Sequence, residues 1–390
     1  MVSFISISQG ISLGLLVFSF ILGSSATPVS SKTHVAKRAT TKTTSVLPSL
    51  ITSRCSPPTS TGSASDLESE SYNIKKNTEW YTAHGGNLTW ISKRDETEVG
   101  GMTLDLPMDA PSIEASESTA NASEDEVVTA SGAQVEVLTM YAGVASTGYC
   151  KSVVPGNSWN CTQCLQWVPD GKVVSSFTST LSDTHGFILR SDEQKTLYVV
   201  FRGTSSFKSA ITDLVFVLTD YTPVEGAKVH AGFYSSYNQI VDDYFPILQD
   251  QLTAYPSYQV IVTGHSLGGA QALLAGMDLY QRESRLSNKN LSIYTVGGPR
   301  VGNPTFAYYV ESTGIPFYRS VNKRDIVPHV PTQAMGFLHP GVESWIKSGT
   351  SNVQICTAEI ETKYCSNSIV PFTSISDHLS YFGIDEGDCS

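Results

Sequence analysis

The segment from Val260 to Ala270 places the strongest constraint on how this chain can fold. It reads VIVTGHSLGGA, a run rich in β-branched residues followed by G-x-S-x-G and then by small residues. The first part is typical of a buried strand and the last part of a helix, so the segment predicts a strand that turns sharply into a helix. Gly264 and Gly268 leave space for that turn, which presents Ser266 in a strained, exposed position suited to a nucleophile.

The rest of the C-terminal two thirds alternates strand-like and helix-like patterns. This alternation predicts an α/β fold in which a largely parallel central sheet carries helices on its faces. The predicted strands are 172–180, 186–190, 196–201, 259–263, 291–296 and 317–321, and the predicted helices between them include 233–252, 267–281 and 304–311.

The first residues of the chain indicate export. Residues 11–23 form an uncharged apolar run that ends in Ser24-Ser25-Ala26, and small residues of this kind suit signal peptidase. We therefore expect residues 1–26 to be a signal peptide. The chain has no later apolar run near 18 residues, so the sequence predicts an extracellular protein without a transmembrane segment.

The next segment has the composition of a pro-region. It is rich in Ser and Thr at first. An acidic stretch then runs from its end into the following domain, with eleven of the chain's 36 carboxylates and no Lys or Arg between Asp95 and Glu136. Dibasic pairs at 37–38 and 93–94 are sites for a processing protease. We predict a pro-region over residues 27–121 with a possible intermediate cut after Arg94, and a catalytic domain over 122–390. The formal net charge of −11 argues against a nucleic-acid partner.

Cysteines indicate a disulfide framework in an exported domain. An even set of six predicts three disulfides, and the sequence alone leaves 15 possible pairings. The C-x-x-C pair of residues 161 and 164 is also compatible with zinc or redox chemistry, but no second ligand pair has similar spacing, so we favour a structural bridge and expect no metal. A seventh cysteine, Cys55, lies in the pro-region, where it could catalyse disulfide exchange or remain idle. The six are Cys150, Cys161, Cys164, Cys356, Cys365 and Cys389.

A serine nucleophile requires a base and an acid that orients the base. Asp325 follows a predicted strand, which is where the acid is expected, and His378 lies late in the chain on a separate segment. His329 and His339 are the alternative bases, and we interpret both as structural because one closely follows the acid and the other precedes a proline. His265, inside the turn, is expected to pack beneath it.

The oxyanion that forms during acyl transfer requires two N–H donors. The Leu267 N–H, at the start of the helix after Ser266, is one candidate. The other is Thr204, which follows the predicted strand 196–201 and a turn glycine. An apolar face of a short helix-like segment follows directly, beginning at Phe207 and including Ile211. Its position beside the oxyanion loop predicts a mobile lid rather than an ordinary core helix.

These motifs together resemble the secreted fungal class 3 lipases of the Rhizopus and Rhizomucor type. The resemblance covers residues 122–390. It rests on FRGT (201–204), SSFKSAITD (205–213), VHAGF (229–233), VTGHSLGGA (262–270), TVGGPRVGNP (295–304), RDIVPHVP (324–331) and DHLSYF (377–382).

The resemblance implies an α/β-hydrolase fold with a short helical lid. It also implies a secreted, monomeric triacylglycerol lipase that acts on triglyceride at an oil–water interface. It implies a Ser266, Asp325 and His378 triad, an oxyanion hole at Thr204 and Leu267, and no cofactor or metal. Asp213 matches a residue that steadies the oxyanion threonine. The implied disulfides are Cys150–Cys389, Cys161–Cys164 and Cys356–Cys365, and the acyl groove is expected to be lined by Phe216, Phe233, Val327, Val330 and Leu379.

Other functions remain open at this point. An esterase on the same scaffold, such as a feruloyl esterase or a phospholipase A1, is the main alternative, although a soluble substrate would suit a more polar lid. A catalytically silent binding protein would be free to lose the triad, and a serine peptidase would require a side-chain pocket. The sequence does not determine chain-length preference, regioselectivity, the mature N-terminus, or glycan occupancy at the sequons of Asn87, Asn121, Asn160 and Asn290.

Overall fold

A computed structural model describes residues 98–99, 102–114, 127–179, 182–204, 216–358, 360–387 and 389. The predicted signal peptide, Cys55, the dibasic pairs and the lid residues Phe207, Ile211 and Asp213 lie outside these residues. The strands are β1 (Glu98–Val99), β2 (Met102–Thr103), β3 (Val127–Thr129), β4 (Lys172–Thr178), β5 (His185–Ser191), β6 (Thr196–Phe201), β7 (Leu218–Asp220), β8 (Lys228–His230), β9 (Gln259–His265), β10 (Leu291–Val296), β11 (Phe317–Asn322), β12 (Val342–Ser348), β13 (Asn352–Cys356), β14 (Ser380–Tyr381) and β15 (Ile384–Asp385).

Several α-helices accompany these strands. They are α1 (Gly132–Ser146), α2 (Thr162–Trp167), α3 (Ala231–Asn238), α4 (Val241–Ala254), α5 (Leu267–Arg282) and α6 (Pro304–Ser312). A capping box begins α1, in which the Ser131 hydroxyl accepts from the Gln134 N–H and the Gln134 side chain accepts from the Ser131 N–H. This exchange satisfies backbone donors that the first helical turn leaves unpaired.

The central sheet has nine strands in the order β3-β13-β12-β11-β10-β9-β6-β5-β4. Neighbours from β6 to β12 run parallel, whereas the pairs at both ends of the sheet are antiparallel. The mostly parallel α/β fold predicted from the sequence is therefore confirmed. Since parallel strands share a carboxyl edge, the residues that follow β6, β9 and β11 meet on one side of the sheet.

Helices cover both faces of the sheet and bury two hydrophobic layers. On one face, α3, α4, α5 and α6 enclose a large cluster that includes Val199, Val262 and Ile293. On the other face, α1 and α2 pack over smaller clusters that include Tyr198, Ile261 and Ile346. Strands in the middle of the sheet are thus buried on both faces, which explains the near-continuous apolar sequence of β6 and β9.

Two details differ from the sequence-based expectations. The helix predicted over 233–252 is two helices, α3 and α4, which are separated by a turn at Gln239 and Ile240. The edge strand β3 and the next two strands of the sheet, β13 and β12, were not predicted from the sequence. No helix among the described residues is long and apolar enough to span a bilayer.

Candidate active site

Ser266 lies at the junction between β9 and α5 in a strained backbone conformation. Its φ and ψ angles are 58° and −128°, a region that L-residues rarely adopt. Both flanking glycines are required: a Cβ added to Gly264 would lie 2.3 Å from the Gly268 carbonyl oxygen, and one added to Gly268 would lie 2.3 Å from that of Phe201. The sequence predicted this turn from its two glycines.

The expectation that Ser266 would be exposed is wrong for this structure. Only 5% of its surface is accessible. The loop after β6 packs against it, since a Cβ added to Gly203 would lie 2.9 Å from the Ser266 Cβ. Thr204 follows Gly203 and is partly buried, as is Leu267 at the start of α5. The loop that carries Thr204, one of the two predicted oxyanion donors, therefore lies beside Ser266.

Asp325 and His378 form a hydrogen-bonded pair. Asp325 lies just beyond β11, and His378 lies in a short 3₁₀ helix, Ser376–Leu379. The His378 Nδ1 is 2.8 Å from the Asp325 Oδ2, and both residues are fully buried. The Val327 N–H donates to the other carboxylate oxygen of Asp325 at 2.8 Å. This arrangement fixes the acid and directs the His378 Nε2 away from it, as a triad requires.

Tyr381 is a third group on this acid, and the sequence analysis did not identify it. Its hydroxyl donates to the Asp325 Oδ2, the oxygen that also contacts His378. Gly297, which has a φ of 57°, leaves space for the group, since an added Cβ would lie 2.8 Å from the Tyr381 hydroxyl and 2.9 Å from the Asp325 Oδ2. In the sequence, only the spacing of His378 and Tyr381 within DHLSYF could have indicated this contact.

His265 packs against His378, the predicted base. Its ring centroid lies 4.5 Å from that of His378, and its Nε2 lies 3.0 Å from the His378 carbonyl oxygen. Because a carbonyl only accepts, Nε2 carries the proton, and Nδ1 accepts from the Tyr149 hydroxyl at 2.8 Å. Burial, followed by the neighbouring His378, holds the pKa of His265 well below its usual value. His265 therefore stays neutral beside a histidine that must become charged.

The two other candidate bases lie in a separate buried polar cluster. The His339 Nε2 is 2.8 Å from the Pro328 carbonyl oxygen, and the His329 Nδ1 is 3.2 Å from the Asn367 Oδ1. Burial is the main cause that lowers the pKa of His329 to about 3, and it also lowers that of His339. Asp325 pairs with His378, whereas these two rings pair with Asn367 and Pro328, which agrees with their structural interpretation.

Residues 102–104 occupy the position of the predicted acyl groove. Met102 and Leu104 are fully buried in one cluster with Val327 and Val330, and Phe216 packs against that cluster. Backbone contacts hold the segment in place: the Ile375 N–H donates to the Leu104 carbonyl at 2.8 Å, the Thr373 hydroxyl to the Thr103 carbonyl, and the Arg324 guanidinium to the Pro111 carbonyl.

The two other predicted groove residues lie elsewhere. Phe233 is buried and stacks on His230, with ring centroids 3.9 Å apart. Leu379 follows His378 and is 40% exposed, which is high for a leucine. An exposed apolar side chain next to the catalytic histidine suits a surface that receives an acyl chain.

Known proteins share this arrangement. The model of the family described as Lipase (class 3) matches residues 198–335. A lipase of Rhizopus niveus is 71% identical over 391 residues, which is 100% of each chain. The chain belongs to the class 3 lipase family.

Solved structures agree with this assignment. A triacylglycerol lipase whose catalytic centre is a serine protease triad is 52% identical, with a TM-score of 0.66 over 68% of this chain and 100% of its own. The native propeptide complex of the Rhizomucor miehei lipase is 43% identical, with a TM-score of 0.72 over 82% of this chain and 94% of its own. The resemblance and the α/β-hydrolase fold inferred from the motifs are confirmed.

The lipase contains the three disulfides that the resemblance implied. Cys150 is bonded to Cys389 across 239 residues, Cys161 to Cys164 across 3, and Cys356 to Cys365 across 9. The first of these ties the end of the C-terminal segment to the residue after Tyr149. It therefore fastens the segment that carries His378.

Proposed function

We propose that this class 3 lipase is an extracellular triacylglycerol lipase that hydrolyses glyceride esters at a lipid–water interface. The observation that carries this proposal is the strained turn at Ser266, whose preceding residue His265 contacts His378 of the buried Asp325–His378 pair. The alternative of a feruloyl esterase or phospholipase A1 is not favoured, because the family relatives reported above include a triacylglycerol lipase.

In this mechanism the Ser266 hydroxyl attacks the ester carbonyl carbon while His378 takes its proton. The resulting imidazolium is stabilised by Asp325, whose two carboxylate oxygens are held by Val327 and Tyr381. The N–H groups of Thr204 and Leu267 stabilise the oxyanion of the tetrahedral intermediate. His378 then protonates the leaving glyceride oxygen, which produces an acyl-enzyme that water hydrolyses by the same steps in reverse.

We further propose that the chain is made with a signal peptide (1–26) and a pro-region (27–121) that keeps the 122–390 domain inactive. The burial of Met102 and Leu104 against Val327 and Val330 supports this, because acyl chains and the pro-region would compete for the same apolar surface. A cut after Arg94 alone would leave these two residues attached. Processing by a protease near residue 121 would be needed to release them.

The lid at Phe207, Ile211 and Asp213 remains a prediction. An apolar lid covers its groove in water and turns outward on an oil surface, where exposed apolar area is no longer penalised. Replacing Phe207 and Ile211 by Ser should therefore reduce the rise in activity on passing from monomeric substrate to droplets. Hydrolysis of soluble esters should be spared.

The triad is tested with Ser266→Ala, Asp325→Asn and His378→Ala in the processed enzyme. Each should be secreted and folded, yet retain less than about a hundredth of the activity on emulsified long-chain triglyceride. A soluble short-chain ester is measured in parallel. A wild-type enzyme that hydrolyses only the soluble ester would favour the esterase alternative, and an active Ser266→Ala chain would exclude Ser266 as the nucleophile.

A further inference from the structure

Two of the three disulfides lie in contact with each other. The Sγ of Cys161, which is bonded to Cys164, is 3.5 Å from the Sγ of Cys150, which is bonded to Cys389. The sulfur atoms of Cys150, Cys161 and Cys164 all lie within 4.8 Å of one another. Because these sulfurs are covalently paired, they are not metal ligands in this state. Their proximity instead permits exchange between the two bonds.

Solvent can reach this cluster. Cys161 and Cys389 are partly exposed, whereas Cys150 and Cys164 are buried. An open pocket of about 660 Å³ lies at the cluster. It is lined by Tyr149, Cys150, Lys151, Ser152, Asn160, Cys161, Thr162, Gly387 and Cys389. A small thiol or disulfide compound therefore has access to Cys161, the sulfur that links the two bonds.

We propose that these four cysteines form an internal thiol–disulfide exchange site that makes the Cys150–Cys389 bond during folding. In the first step the Cys150 thiolate attacks the Cys161 Sγ, the Cys150–Cys161 bond forms, and Cys164 leaves as a thiolate that takes up a proton. In the second step the Cys389 thiolate attacks the Cys150 Sγ, the Cys150–Cys389 bond forms, and Cys161 leaves. One disulfide is broken and one is formed, so no net oxidation occurs.

The order of these steps follows from sequence separation. Loop-closure entropy increases with the length of the loop, so a bond across 3 residues forms before one across 239. The backbone N–H of Cys164 donates to the Cys161 Sγ at 2.9 Å. A hydrogen bond to sulfur favours its thiolate, which makes Cys161 a good leaving group in the second step. Oxidised glutathione, a small-molecule disulfide, then restores the Cys161–Cys164 bond.

The site acts on the segment that carries the catalytic histidine. Cys389 ends the segment that includes His378 and Tyr381, and Cys150 directly follows Tyr149, which binds His265. Transfer of the disulfide to Cys389 therefore requires that this segment has already docked. The proposal goes beyond the lipase activity, since it concerns how the segment that carries His378 becomes fixed to the rest of the domain.

A trapping experiment compares two variants of the full chain, each with one new free thiol in a buried position. Cys389→Ser frees Cys150 beside the Cys161–Cys164 bond, whereas the control Cys356→Ser frees Cys365, which lies in a different cluster. After acid quenching and alkylation, mass spectrometry of unreduced peptides should show a Cys150–Cys161 linkage and a labelled Cys164 in Cys389→Ser only. Labelling of Cys164 that is absent, or equal in both variants, would overturn the proposal.

A kinetic experiment tests the role in folding. The reduced full chain is refolded in glutathione as wild type, as Cys161→Ser/Cys164→Ser and as the control Cys356→Ser/Cys365→Ser. At low oxidised glutathione, formation of the Cys150–Cys389 bond should slow about tenfold in the first variant alone, because an intramolecular source of the bond is lost. High oxidised glutathione should remove the difference. Unchanged rates, or slowing that is independent of oxidised glutathione, would contradict the exchange role.

Discussion

The ring of His265 lies 4.5 Å from that of His378 and is joined to it by a hydrogen bond to the His378 carbonyl oxygen. Residues 265 and 266 are adjacent in the chain, so the residue before the nucleophile positions the base. The acid fixes the imidazole from one side and His265 fixes the backbone from the other. The Asp325–His378 pair therefore belongs to a hydrogen-bonded network of five residues that also includes His265, Tyr149 and Tyr381.

Substitutions of Tyr149 and His265, which position His378, should lower kcat more than they weaken substrate binding. We expect Tyr149→Phe to lower kcat about fivefold and His265→Ala about 10- to 100-fold, with KM nearly unchanged, because His378 loses its orientation rather than its substrate contacts. Tyr141→Phe is the control, since Tyr141 stacks on Tyr294 in another part of the molecule. Steady-state kinetics on a soluble ester provide the measurement, and an equal effect of Tyr141→Phe would remove the argument.

Loosening the pro-region should activate the uncleaved chain. Met102→Ser with Leu104→Ser should raise its activity on soluble esters several-fold, because two buried apolar side chains that pack the segment against Val327 and Val330 are lost. Met108→Ser is the matched control, since Met108 is fully exposed in the same segment. Both variants are compared before and after proteolytic processing. If the uncleaved variants were no more active on soluble esters than the uncleaved wild type, and the processed enzymes were also equally active, the segment would not be an inhibitor.

Glu386 should make the enzyme less stable as pH rises. It is fully buried, neither carboxylate oxygen has a hydrogen-bond partner among the described residues, and burial, followed by the neighbouring Asp385, raises its pKa well above the usual value. Above pH 4.5 the unfolded chain ionises this group while the folded chain keeps it protonated. Stability should therefore fall by about 1 kcal/mol for each pH unit from there up to the folded pKa.

Glu386→Gln tests this dependence because glutamine has a similar shape and does not ionise. Its Tm relative to wild type should increase steadily as pH rises from about 4.5, whereas the control Glu193→Gln, at an exposed glutamate between β5 and β6, should show little change. Thermal melts across pH 4 to 9 provide the comparison. A Tm difference that is the same at every pH would mean that the carboxyl is not perturbed.

His230 should contribute to acid sensitivity. Burial lowers its pKa to about 4, and its Nδ1 accepts from the Phe233 N–H at 3.2 Å as the N-cap of α3. As pH falls from 6.5 to about 4, the unfolded chain binds a proton that the folded chain does not, so stability is lost in that window. His230→Asn retains a capping acceptor and should reduce the loss. Thermal melts at pH 4.5 and 7.5 should show a smaller loss of Tm in the variant than in the wild type. Equal losses of Tm would contradict the prediction.

The glycan sites should differ in occupancy. The Asn290 side chain is engaged on both ends, since its amide donates to the Arg285 carbonyl at 2.9 Å and its oxygen accepts from the Ser287 N–H at 2.8 Å. Asn160 is exposed. We expect a glycan at Asn160 and none at Asn290 in the secreted protein. Peptide mass spectrometry before and after deglycosylation measures this, and an occupied Asn290 would contradict the expectation.

Part of the site could be predicted from the sequence because the local backbone geometry allows only certain residues at each position. The turn at Ser266 requires Gly264 and Gly268, and Asp325 comes three residues after the end of β11. The choice among three histidines was less secure, since His329, His339 and His378 all follow the acid in sequence. The structure separates them because His329 and His339 lie in a different buried polar cluster from His378. That cluster depends on contacts between distant segments of the chain.

The sequence by itself determined the strand–serine–helix unit and the α/β class, because each depends on patterns among residues close together in the chain. Tertiary structure decided which of the 15 pairings the cysteines adopt, that Tyr149 contacts His265 and Tyr381 contacts Asp325, and that Met102 and Leu104 pack against Val327 and Val330. The physical reason is distance along the chain: Tyr381 is 56 residues from Asp325 and Cys389 is 239 from Cys150, so only packing of the whole domain brings them together.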